Sequence, residues 1–154
     1  MRTLVYLLTL PCFSILFAGD ALGQPKDIPM LPDVAVAAPS ADVPKELAAF
    51  SGKWFGYYNG VNTGAYMSDA LIVVEKIVSA REIQVFYAGV GRFRTNHGQP
   101  WSYRVNATFA DGVLEFKAGQ TTVVTAKMSG DAALSVTTTS ARGSSRGTFK
   151  RLAQ

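Results

Sequence analysis

Short runs of β-branched and aromatic residues recur from residue 52 onward at a spacing of about 12 residues. Most runs alternate between apolar and polar side chains, which is the two-residue period of a strand with one buried face. The predicted strands are 52–58, 70–78, 82–91, 101–109, 113–118, 121–128, 133–140 and 147–152. Helical periodicity is confined to a single turn at 44–50. The pattern therefore predicts an all-β domain of eight strands.

The connections between these strands alternate in length. Connections two, four and six are tight, at 79–81, 110–112 and 129–131, and the second of these contains Asp-Gly, a strong hairpin signal. Connections one and three are long, at 59–69 and 92–100, and connection seven, at 141–146, is moderate. Because antiparallel neighbours place odd and even connections at opposite ends, we expect one closed end and one loop-rich open end. Eight antiparallel up-and-down strands can close into a barrel without free edges.

The first 23 residues have the pattern of a signal peptide. Arg2 precedes an apolar run from residue 4 to 17, which is shorter than the roughly 20 residues of a membrane span. Ala21-Leu22-Gly23 predicts cleavage before Gln24, and an uncleaved N-terminal anchor is the alternative. Cys12 follows a proline inside the apolar run, so we expect it to be removed with the signal. We therefore expect export to the periplasm or the extracellular space, with no membrane span after cleavage.

Residues 24–44 differ in composition from the domain that follows. They hold five of the seven prolines and a net charge of −2, whereas residues 45–154 carry thirteen basic and seven acidic residues, or +6. Prolines remove backbone donors and fix φ, so this stretch is typical of an extended, disordered linker. The predicted organisation is a signal peptide at 1–23, a linker at 24–44 and a β-barrel domain at 45–154.

The residues of catalysis and metal binding are scarce. One Cys and one His exclude an intramolecular disulfide, a thiolate zinc cluster and a multi-histidine site. Gly89-Val90-Gly91 lacks the third glycine of a dinucleotide loop, and the lone His97 is typical of a solvated loop. We found no matched catalytic pair, so the sequence favours a protein that is not an enzyme and has no cofactor or metal.

Glu75 is the one acidic residue in an apolar setting. It follows the run Leu71-Ile72-Val73-Val74, and strand alternation directs either Glu75 or Lys76 toward the interior. A buried carboxylate needs a charged partner, for which Arg104 and Lys76 are the candidates. A structural ion pair is the favoured interpretation over a catalytic role.

Gly52-Lys53-Trp54, at the start of the first strand, resembles the G-x-W signature of lipocalin-like (calycin) barrels, which include lipocalins and avidins. In that family the Trp lies across the closed end, beneath a basic side chain of the last strand. The resemblance therefore implies a contact between Trp54 and Arg151. The chain is short for a lipocalin and lacks other evident family motifs. The resemblance implies the fold and no particular ligand.

Aromatic and basic residues gather at the predicted open end. The candidate ligand-binding residues are Tyr58, Tyr66, Arg92, Arg94, Trp101 and Arg142. Arginines with aromatic rings suit planar or anionic groups, which predicts a binding protein for a small, anionic or sugar-like ligand. The alternative is a periplasmic inhibitor or interaction module that engages an exported protein through the rim or residues 24–44. Export argues against nucleic acid, and large inward side chains predict a mostly filled interior.

Overall fold

The computed structural model describes residues 28–91 and 98–153. A short helix, α1 (Lys45–Ala48), precedes the strands β1 (Gly52–Gly60), β2 (Tyr66–Ser79), β3 (Glu82–Gly91), β4 (Pro100–Ala110), β5 (Val113–Ala118), β6 (Thr122–Met128), β7 (Ala133–Ser140) and β8 (Gly143–Arg151). Each strand pairs antiparallel with the next, and β8 returns to pair with β1. The protein is a closed eight-stranded up-and-down barrel, which confirms the predicted fold.

The three connections predicted to be tight, between β2 and β3, β4 and β5, and β6 and β7, lie at one end of the barrel. At the β4–β5 turn, Asp111 and Gly112 both have positive φ, of 51° and 74°, as a two-residue hairpin requires. The prediction of a moderate connection at 141–146 is wrong, because Ser140 pairs with Gly143 and closes the β7–β8 hairpin through two residues. The open end is therefore less rich in loops than expected.

The closed end is built around Trp54, which is fully buried. Its indole N–H donates to the Phe50 carbonyl at 2.8 Å. The guanidinium carbon of Arg151 lies 4.0 Å from the centroid of the Trp54 ring. The same guanidinium donates to the carbonyls of Ala49 and Ser51, which follow α1. The expected Trp54–Arg151 contact is confirmed, and it ties the last strand to the turn that covers the barrel end.

A second apolar cluster lies on the outside of β2 and β3, where Leu71, Val73 and Phe86 are fully buried. Residues 28–37, here called the strap, cover this surface. The strap side chains in the cluster are Ile28, Met30, Val34 and Val36. The Ala37 N–H also donates to the Glu75 carbonyl at 2.7 Å. The strap has no regular secondary structure, as expected. It is docked on the barrel, however, so the prediction of a disordered linker is wrong for residues 28–37.

Glu75 lies beneath the strap on the outer side of the barrel. A register shift between Val74 and Lys76 makes Ile77 the next core residue. Neither Glu75 nor Lys76 therefore enters the interior, and the prediction that one of them does is wrong. The Glu75 carboxylate accepts two hydrogen bonds from Arg104, at 2.9 and 3.0 Å. This confirms the predicted structural ion pair. Arg104 also donates to Asp33 of the strap at 3.0 Å.

We expect the docked strap to be measurable by amide hydrogen exchange. The Ala37 amide should exchange more slowly than those of its exposed neighbours, because it is hydrogen-bonded to β2.

Docking of the strap should also depend on pH. The hydrogen bond from Arg104 holds the pKa of Asp33 below its ordinary value. This contact therefore favours docking above about pH 4, and its contribution is lost as the pH falls through the lowered pKa. Absence of protection at Ala37 at neutral pH would contradict the docked arrangement.

Candidate functional site

A cavity of about 380 Å³ lies at the end of the barrel opposite Trp54. We call it the mouth cavity; its lining residues are Tyr58, Met67, Ser68, Tyr87, Trp101, Tyr103, Ala118, Thr122, Thr138, Arg142 and Ser145. The interior below it is filled by the main apolar core. The prediction of a mostly filled interior therefore fits the closed half of the barrel and is wrong for the open half.

Aromatic rings from β3 and β4 form one wall of the mouth cavity. The Trp101 ring centroid lies 4.6 Å from that of Tyr87 and 5.9 Å from that of Tyr103. Gly89 makes room for this arrangement, because a side chain there would overlap the Trp101 ring. Trp101 is half-buried, and 39% of Tyr103 is exposed. The wall therefore offers ring faces to a molecule entering from solvent.

Two tyrosine hydroxyls meet deeper in the cavity. The Tyr87 hydroxyl donates to the Tyr58 hydroxyl at 3.1 Å, and both residues are almost completely buried. Burial raises the pKa of both phenols well above the ordinary value. Both groups are therefore neutral at physiological pH. Their mutual bond uses one of the two hydroxyl hydrogens, and the other can be donated to a polar atom in the cavity.

Hydroxyl groups and one cation form the opposite side. Thr138 Oγ1 and Ser145 Oγ lie 2.6 Å apart on β7 and β8. Thr122 on β6 adds a further hydroxyl to this side, and Ser68 adds one on β2, next to the aromatic wall. Arg142, in the β7–β8 turn, is the one charged residue among the described side chains that line the cavity. The mouth cavity is thus aromatic on one side, and hydroxylated with a positive rim on the other.

Three of the six predicted site residues, Tyr58, Trp101 and Arg142, come together in this cavity. Tyr66 does not line it; its ring lies 6.1 Å from that of the exposed Tyr57. A register shift in the β1–β2 ladder pairs Tyr66 with Asn59, which follows the inward Tyr58 and faces away from the barrel axis. Arg92 and Arg94 lie outside the described residues, so their predicted role stays a prediction.

Several of the residues that line the cavity were not predicted as site residues. They are Met67, Ser68, Tyr87, Tyr103, Thr122, Thr138 and Ser145. Tyr87 and Tyr103 share the inward face that the alternation of β3 and β4 predicts. They also lie toward the strand ends at the open side, and that position was the available signal for a role in the site.

Residues 28–91 and 98–153 contain neither a cluster of three His, Cys, Asp or Glu side chains suited to a metal ion nor a helix long and apolar enough to span a membrane.

Comparisons with known proteins do not assign the chain to a family. No protein-family model matches the chain, so the lipocalin-like resemblance has no support from that source, and no curated protein matches it. Among solved structures the chain is similar to a redesigned beta barrel, at 15% sequence identity and a TM-score of 0.49. The match covers 74% of this chain and 100% of the redesigned barrel. The assignment of the barrel therefore rests on the strand pairing of the chain itself.

Proposed function

We propose that the protein is an exported binding protein that takes a small anionic molecule with a planar ring into the mouth cavity. The observation that carries this proposal is that the aromatic wall around Trp101 faces hydroxyl groups and the Arg142 guanidinium across the cavity. A volume of about 380 Å³ lies within the range of small-molecule sites, which is about 300–1,000 Å³.

The ring of the ligand packs against Trp101 and Tyr103. Both side chains are partly accessible, so a planar molecule gains apolar contact with them without displacing the core. The CH face of a sugar ring offers a similar surface. The depth of the cavity limits the ligand to a small molecule, because the filled core lies directly below Tyr58 and Tyr87.

The anionic group of the ligand is oriented by donors. Arg142 supplies a guanidinium at the rim, and the hydroxyls of Thr138 and Ser145 lie on the same side. The buried tyrosines remain protonated and so act as donors rather than bases. A carboxylate or sulfonate matches this set because it presents several acceptor oxygens.

Titration with anilinonaphthalene sulfonate, a planar aromatic anion, tests the site. We expect saturable binding at one site, and Arg142→Gln should weaken it about threefold to tenfold because a rim charge is lost. The residual affinity should depend less on salt than that of the wild type. Arg146→Gln is the matched control, because Arg146 lines a separate groove on the outer face. Equal losses from the two variants would indicate a general charge effect and would contradict a site at the mouth.

The export part of the proposal has its own test. The basic Arg2, the apolar run at 4–17 and Ala21-Leu22-Gly23 support removal of the first 23 residues. Mass spectrometry of the protein recovered from outside the cytoplasm should find Gln24 at the N terminus. Retention of Met1, or a lipid on Cys12, would contradict this expectation.

We also infer a distant relation to lipocalin-like barrels. The support is the combination of Gly52-Lys53-Trp54 with the Arg151 guanidinium over the indole ring. The inhibitor alternative is less favoured, because residues 28–37 would have to leave the apolar surface of their own barrel to enter a protease.

A further inference from the structure

A second cavity, of about 300 Å³, adjoins the mouth cavity at the open end of the barrel. We call it the loop chamber; it is lined by residues 60–63, Met67, Thr122, Thr138, Ser140 and 142–145. Five of these residues also line the mouth cavity, namely Met67, Thr122, Thr138, Arg142 and Ser145. A molecule held in the mouth cavity therefore has a second space beside it.

Backbone hydrogen bonds hold the β1–β2 connection over the loop chamber. The Gly60 N–H donates to the Ala65 carbonyl at 2.9 Å, which closes the connection on itself. The Val61 N–H donates to the Ser144 carbonyl at 3.0 Å, which ties the connection to β8. The wall of the chamber is thus in place before a ligand arrives, so binding does not have to order this loop.

The loop chamber is lined by groups that both donate and accept hydrogen bonds. Its hydroxyl side chains are Thr63, Thr122, Thr138, Ser140, Ser144 and Ser145, and Asn62 adds an amide. Thr138 and Ser145 lie 2.6 Å apart, and their mutual bond leaves one hydroxyl hydrogen for a ligand. The hydroxyl groups of a sugar also donate and accept, whereas a second anion would need donors alone. The lining therefore matches a sugar.

Arg142 lies where the two cavities meet. Among the described side chains that line either cavity, it is the one charged group. The Ser140 hydroxyl accepts a hydrogen bond from the Arg142 backbone N–H at 3.2 Å, which fixes the turn that carries the guanidinium. A single cation shared by an aromatic cavity and a hydroxylated cavity matches a ligand with one acidic group.

We propose that the ligand is an acidic aryl glycoside, a planar ring joined to a sugar that carries one carboxylate. This inference rests on the proposed function and extends it. The ring lies on the aromatic wall of the mouth cavity, the sugar lies in the loop chamber, and the carboxylate accepts hydrogen bonds from Arg142.

Three fluorescent compounds separate the parts of such a ligand. Methylumbelliferyl glucuronide has the ring, the sugar and the carboxylate, the sulfate has the ring and an anion, and the glucoside has the ring and a neutral sugar. The glucuronide should bind the mature protein about tenfold or more tightly than either of the others, because each added hydrogen bond contributes about threefold to tenfold in affinity.

The outcomes distinguish this inference from the proposed function. Equal affinity for the glucuronide and the sulfate would overturn the inference and leave the proposed function standing. Binding of anilinonaphthalene sulfonate with no binding of the glucuronide would do the same. Failure of anilinonaphthalene sulfonate, the sulfate and the glucuronide to bind would contradict the proposed function itself.

A variant of the loop chamber tests where the sugar lies. Asn62→Ala removes an amide from this chamber and leaves the lining of the mouth cavity intact. It should weaken binding of the glucuronide about threefold to tenfold and leave binding of the sulfate unchanged. Asn59→Ala is the matched control, because Asn59 lines a groove on the outer face of β1, and it should change neither affinity. Equal effects of Asn62→Ala on the two compounds would contradict the placement of the sugar.

The side-chain amide of Asn62 gives an independent measurement on the unaltered protein. Its NMR signals, assigned by their loss in Asn62→Ala, should shift and saturate during titration with the glucuronide. They should stay in place during titration with the sulfate, which has no sugar to enter the loop chamber. Signals that do not move at saturating glucuronide would overturn the proposal.

Discussion

Trp54→Ala should lower the free energy of unfolding by about 3–5 kcal/mol, the range for truncation of a large buried aromatic side chain. The variant leaves a cavity between α1 and the core, removes the indole donor to Phe50, and takes the ring from beneath Arg151. Urea unfolding followed by circular dichroism measures the loss. Tyr57→Ala on the same strand is the control, because 52% of Tyr57 is exposed, and it should cost under about 1 kcal/mol. Similar losses for the two variants would contradict the role assigned to Trp54.

Trp101→Ala should weaken binding of anilinonaphthalene sulfonate about tenfold or more, in line with a stacking contribution of about 1–3 kcal/mol per planar ring. Its cost in unfolding free energy should be smaller than that of Trp54→Ala, because Trp101 is only half-buried. Tyr66→Ala is the control, since Tyr66 does not line the mouth cavity. Unchanged affinity in the Trp101 variant would rule out the aromatic wall as the binding surface.

The closed half of the barrel was predictable because its signals are local. Alternation assigns the inward faces of β3, β4 and β5, and Asp111-Gly112 marks a tight hairpin. The open half was less predictable. β2 and β8 each begin four residues before the predicted strands, and their first residues include Ser68 and Ser145, which line the mouth cavity. A strand whose inward face lines a polar cavity lacks the apolar alternation that identifies a strand. The strand ends that form the candidate site could therefore not be predicted from the alternation.

The docked strap was missed for a different reason. The proline content of residues 24–44 predicts disorder. The four apolar side chains that dock, Ile28, Met30, Val34 and Val36, follow no regular period and so give only a weak signal. The better signal was on the barrel. Leu71-Ile72-Val73-Val74 is an unbroken apolar run, which is typical of a strand buried on both faces. Such a run shows that an outer layer is needed, but the identity of that layer depends on contacts distant in the sequence.

The two tryptophans provide a direct test of the proposed site. Trp54 donates its indole N–H to Phe50 at the closed end, whereas Trp101 lies in the mouth cavity. The NMR spectrum should show one indole N–H signal from each residue, assigned with Trp101→Phe. During titration with anilinonaphthalene sulfonate, the Trp101 signal should shift and saturate at the affinity measured by fluorescence, while the Trp54 signal stays in place. A saturating fluorescence response with no movement of the Trp101 signal would contradict binding in the mouth cavity.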